Sequence, residues 1–133
     1  LLACRSEKAS NEAMDRMSLE IELEQLAIRE DMRIPVKGKA TFMLLDLASL
    51  ESVRSFTEAF KKEGLPLDVL VLNAGVMMDA SLSLFLLGRR AESADGHEMH
   101  WAVNHLGHFL LANLLLPKLE KSKDGRIIVL SSS

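Results

Sequence analysis

Apolar residues along this chain fall either in compact runs of strand length or at spacings of three to four residues, and the two patterns alternate. Leu1 to Ala3 reads as the tail of a strand. Ser6 to Asp31 is polar and rich in Glu, Lys, Ala and Met, with Met14, Met17, Ile21 and Ile28 at roughly helical spacing, which predicts a long, largely solvated helix. Pro35 and Gly38 break it, and Ala40 to Leu45 follows as a short apolar strand ending at Asp46. A second helix is expected from the cap at Ser49, with Glu51 in its first turn and Leu50, Val53, Phe56 and Phe60 on one face. Lys61, Lys62 and Gly64 end it. After Pro66 the run Leu67 to Leu72 is almost uninterrupted, as expected of a parallel strand covered on both faces. Val76 to Asp95 has no period and is read as a loop. From His97, the positions Met99, Val103, Leu106, Leu110 and Leu114 predict a helix that stops at Pro117, whose ring removes a backbone hydrogen bond. Gly125 opens a last strand, Arg126 to Leu130, closed by three serines.

Short apolar strands alternating with helices point to an α/β fold with a doubly wound parallel sheet. The 133 residues, 48% of them hydrophobic, suit one modest domain. The longest apolar runs, such as Leu82 to Leu87, fall well short of the roughly 20 residues that span a bilayer, so no membrane segment is expected in this window. The start, Leu1 to Arg5, does not read as a signal peptide. One cysteine, Cys4, excludes an internal disulfide and fits a reducing compartment, the cytoplasm or the cytoplasmic side of a membrane. A net charge of -3 leaves no footprint for nucleic acid.

In open parallel sheets ligands bind beyond the carboxyl ends of the strands, which directs attention to Arg5, Asp46, Asn73 to Gly75 and Ser131 to Ser133. An Arg just past the second strand can grip a ribose 2'-phosphate with its fork of donors, which favours NADP; a solvated Arg at a helix start is the plain alternative. Asp46 can accept from an adenine amino group or from nearby backbone donors. Asn73-Ala74-Gly75 combines small residues, which let a ligand approach the main chain, with an Asn able to lock neighbouring strands. Asn104 is polar amid the apolar spacing of its helix, so a partner or a role is expected for it. All four histidines, His97, His100, His105 and His108, lie nearby, but His105 and His108 point to different sides at the helical period, and no metal site is expected. Ser132 ends the last strand, where a hydroxyl could donate to a carbonyl.

The stretches Leu2 to Arg5, Leu45 to Leu50, Asp68 to Gly75, Asn104 to Phe109 and Gly125 to Ser132, in this order and spacing, resemble the short-chain dehydrogenase/reductase family over essentially the whole chain. Within it the wording is similar to the retinol dehydrogenase and WW-domain-containing oxidoreductase group. The resemblance implies NADP contacts at Arg5, Asp46, Leu47, Asn73, Ala74 and Gly75. It also implies two catalytic residues: Asn104, interrupting its helix and holding a water in a proton relay, and Ser132, hydrogen-bonded to the reacting carbonyl or alcohol. The family's glycine-rich turn would precede Leu1 and its YxxxK motif would follow Ser133; the chain has no Tyr. Residues 1–133 are thus expected to be the central part of one NADP-binding domain, lacking the first strand with its turn and the YxxxK region. Val76 to Asp95 departs from the family pattern in length, as an insertion or an imperfect gene model. The expected activity is that of a parent enzyme interconverting a carbonyl and an alcohol on a retinoid-, steroid- or lipid-like small molecule, with an oligomeric parent compatible and the fragment inactive alone. The rivals are a non-catalytic, partner-binding splice product and a flavodoxin-like or receiver-type module, which shares the alternation but not the Asn73-Ala74-Gly75 and Asn104 constellation.

Overall fold

The computed structural model describes residues 1–27, 40–77 and 90–131. It divides into two compact units, Leu1–Leu45 and Asp46–Ser133.

In the first unit, strand β1 (Leu2–Cys4) leads to helix α1 (Glu7–Ala27), and strand β2 (Phe42–Leu44) pairs in parallel with β1, Leu2 beside Phe42 and Cys4 beside Leu44. Ser6 starts the helix, its Oγ accepting from the Ala9 N–H at 3.2 Å. A 21-residue helix is about 31 Å long, whereas a three-residue strand covers about 10 Å. The overhang follows from those lengths. Ser10, Ala13 and Met14 are sheltered, and every residue from Asp15 to Leu23 is exposed, in keeping with a long, largely solvated helix.

The second unit holds helix α2 (Leu50–Lys62), strand β3 (Val69–Leu72), a short helix α3 (Met99–Trp101) running into a π-helical turn at Ala102–Gly107, helix α4 (His108–Leu119) and strand β4 (Arg126–Val129). Local signals agree along α2. Ser49 caps it by accepting from Ser52 N–H, Lys61 and Lys62 occupy its last turn, and Gly64 follows at φ +67°. Its buried face is Val53, Phe56, Thr57 and Phe60, which packs against α4 with Leu111, Leu115 and Leu119 buried there. Thr57 is tolerated in that core because its hydroxyl donates to the Val53 carbonyl at 2.7 Å.

Two expectations need correction. The last helix does not stop at Pro117 but continues through it to Leu119. Proline removes one bond near a helix end, and burial of Leu119 holds the final turn. Nor is the Leu67 to Leu72 run covered on both faces: β3 pairs in parallel with β4, Val69 beside Arg126 and Leu72 beside Val129, while Val69 and Val71 are exposed and β4 is exposed throughout. Among the described residues the strands pair two by two, β1 with β2 and β3 with β4. Parallel pairing of this kind, with helices between the strands, is that of the doubly wound parallel sheet, the fold class of this chain. No helix of the described residues is long and apolar enough to cross a membrane.

Candidate functional site

Strand β3 delivers Asn73, Ala74 and Gly75, all exposed, to its carboxyl end. The next residue, Val76, is held by both ends of one side chain: Asn104 Oδ1 accepts from the Val76 N–H at 2.8 Å, and Asn104 Nδ2 donates to the Val76 carbonyl at 2.9 Å. This pairing mimics a strand neighbour and fixes the turn. A Cβ added at Gly75 would lie 3.6 Å from Asn104 Oδ1, an ordinary contact, so the protein does not force glycine there and the missing side chain leaves room beside the clamp.

Asn104 lies inside the π-helical turn, where bonds from residue to residue plus five widen the helix. A buried histidine sits one turn on. His108 is nearly solvent-free, its burial pushes its pKa below 6.5, and a hydrogen bond to the Asn104 backbone opposes the shift. His105 points outward instead, stacked on Trp101 at 4.4 Å and Phe109 at 6.1 Å between ring centroids. Among the described residues, no group of three or more His, Cys, Asp or Glu is placed to hold a metal ion.

The same helix reaches the Asp46-Leu47 turn at Gly107. A Cβ there would fall 2.6 Å from the Leu47 carbonyl oxygen, so only glycine permits the approach. Asp46 is partly committed to its own turn: Oδ1 accepts from Ala48 N–H at 2.9 Å, and its N–H donates to Ser52 Oγ at 2.9 Å. The side chain of Leu47 is core, 8% exposed, which leaves its main chain for any ligand contact.

A second turn braces this region. Ser93 Oγ accepts from the Asp95 and His97 N–H groups, Ala94 N–H donates to the Ala48 carbonyl, and Asp95 Oδ2 accepts from Leu50 N–H at 2.8 Å. Asp95 thus binds the start of α2 from 45 residues away. Glu98 caps α3 by accepting from Trp101 N–H at 2.9 Å and lies 2.6 Å from His100 Nδ1; the His100 contact, then the backbone bonds, hold its carboxyl down at about 2.

The second unit therefore brings Asp46, Leu47, Asn73, Ala74, Gly75 and Asn104 to neighbouring turns around one helix. Arg5 is exposed directly after β1 in the first unit, with no ion pair among the described residues. Ser132 and residues 78–89 of the expected loop lie outside the described residues. Sequence reasoning missed Val76, whose contribution is main chain; Gly107, whose role needs the Leu47 contact; and Asp95, visible beforehand only as part of an Asp-Gly turn. A cavity of about 740 Å³ lies elsewhere, at the amino ends of β3 and β4, lined by Leu65, Asp68, Lys118, Lys121 and Arg126 among others.

A family model described as short chain dehydrogenase matches residues 7–133. Polyprenol dehydrogenase of Danio rerio is 50% identical over 101 residues, covering 73% of this chain and 28% of that protein. Retinol dehydrogenase 11 of Mus musculus is 44% identical over 108 residues (81% and 31%), and WW domain-containing oxidoreductase of Gallus gallus 39% over 132 residues (99% and 26%). The chain thus spans 26 to 31% of the length of these relatives. An alcohol dehydrogenase of the archaeon Thermococcus sibiricus, solved with 5-hydroxy-NADP, aligns with a TM-score of 0.54 at 20% identity, covering 96% of this chain and 45% of that one, a likeness of fold.

Proposed function

This chain belongs to the short-chain dehydrogenase family, and on that ground we propose that it carries the central part of an NADP site in an oxidoreductase that interconverts a carbonyl and an alcohol. The observation that carries the reading is the Asn104 clamp on Val76, which sets the exposed Asn73-Ala74-Gly75 turn at the carboxyl end of a parallel strand, where ligands of such sheets bind.

When bound, NADP supplies or accepts the hydride. The chain's own residues bind and orient. Arg5 grips the 2'-phosphate, the second carboxylate oxygen of Asp46 and the Leu47 main chain meet the adenine, and Asn73, Ala74 and Gly75 admit the ribose and nicotinamide to the backbone. Gly75 fits that role through the room its absent side chain leaves. Asn104, in its widened turn, holds a water for proton transfer, and Ser132 donates to the reacting oxygen, steadying the charge that develops there. A phosphate-binding glycine turn and a YxxxK motif belong to other parts of the parent. The substrate is a retinoid-, steroid- or lipid-like alcohol or its carbonyl, in keeping with the polyprenol and retinol named for two relatives.

The test compares the chain with a longer product of the same locus that contains both missing motifs, using NADPH and retinal. The chain alone is expected to show no turnover above a blank, and the longer protein to turn over and lose activity on Ser132→Ala. Clear turnover by the chain alone, or an inert longer protein, contradicts the reading.

A further inference from the structure

From Met17 onward, α1 carries a strand pattern inside a helix. Met17, Leu19, Ile21 and Leu23 alternate with Ser18, Glu20, Glu22 and Glu24 without a break. On a helix the apolar four divide into two pairs on nearly opposite sides, Met17 with Ile21 and Leu19 with Leu23, so no single surface can cover both. All four are in fact open to solvent, at 40, 56, 40 and 57% exposure in chain order. In an extended strand they share one face and the glutamates share the other.

The helix here has little support of its own. Residues 15–23 are all exposed, and a helical stretch of this length without packing is marginal in water. Ser18 Oγ donates back to the Met14 carbonyl at 2.9 Å, a bond that weakens and bends helices. High intrinsic propensity of Leu and Glu is what keeps it helical.

We propose that residues 17–24 are a docking segment that leaves the helix and pairs, by β-strand addition, with a partner strand in which Lys or Arg alternates with apolar residues. Charge complementarity selects that partner. Pairing two copies of this segment with their apolar faces together sets Glu20 against Glu20 and Ser18 against Glu22, which opposes self-association, whereas a basic strand places a cation against each carboxylate.

Spin labels at Ser18→Cys and Gln25→Cys, in the full chain with Cys4→Ser, read the segment directly. Seven residues span about 10 Å as a helix and about 23 Å as a strand. The probe is a capped octapeptide of alternating Lys and Val, and the control has the same residues in two blocks, four Lys then four Val. The alternating peptide is expected to lengthen the label distance to the strand value. The block peptide, and the alternating peptide against a Leu19→Gln, Leu23→Gln variant, are expected to bind about tenfold more weakly. Both leucines are exposed, so the variant leaves the packed residues untouched. No binding, binding at the helical distance, equal binding of the block peptide, or a strand distance without peptide each overturns the proposal.

Discussion

Gly107 shows how closely the candidate site is fitted, since a single methyl there would sit 2.6 Å from the Leu47 carbonyl oxygen. Gly107→Ala is expected to cost about 1 to 3 kcal/mol, as overpacking does, read as a lower midpoint in urea with an unchanged slope. Acid should act through two other residues. Glu98 has a folded pKa of about 2 against an ordinary 4.5, so its contribution is present above 4.5 and is lost as pH falls through about 2. His108 is depressed below 6.5 by burial, so the folded state favours the neutral ring; its contribution is complete above 6.5 and declines as pH falls from there. Denaturation midpoints measured between pH 7 and 2 should fall in both ranges. Glu98→Gln should flatten the lower limb alone, and a variant profile matching the wild type would remove that assignment. Asn104 was legible as a polar residue among apolar spacing, although the structure leaves it exposed and satisfied by the Val76 main chain rather than buried. Its partner was not: Val76 acts through its N–H and carbonyl, and a main-chain contact leaves no mark on residue type.

Helix α2 was read closely from sequence because cap, charge and apolar face all specify the same span, and Ser49, Glu51 and Lys62 stand where expected. The Asp95 brace at its start was hidden, since a contact across 45 residues has no local period. Asp95→Ala removes the acceptor for Leu50 N–H and is expected to cost about 1 kcal/mol, as loss of a cap does; a melting temperature unchanged from wild type would contradict the brace. Pro117 misled the reading in the other direction. Proline ends helices on average, but here one lost bond competes with the buried Leu119 side chain, and burial prevails.

Across the whole chain, the alternation of strands and helices disclosed the fold class, but not how well each strand would be covered. The run Val69 to Leu72 looked like a strand enclosed on both faces, yet Val69, Val71 and the whole of β4 are exposed. Among the described residues the strands pair only two by two, β1 with β2 and β3 with β4, and each pair has open edges. Open ladders beside apolar side chains invite association, and the chain is expected to elute as oligomers in size-exclusion chromatography. A monomer with strongly protected amides in both 40–45 and 67–72 would contradict this. The cofactor assignment is tested most directly by hydrogen exchange of the full chain with and without millimolar NADPH. Slower exchange is expected at residues 73–76 and 102–107, with none at 64–69 or 118–126 around the opposite cavity; no change at the Asn104 turn, or protection centred on that cavity, would contradict it.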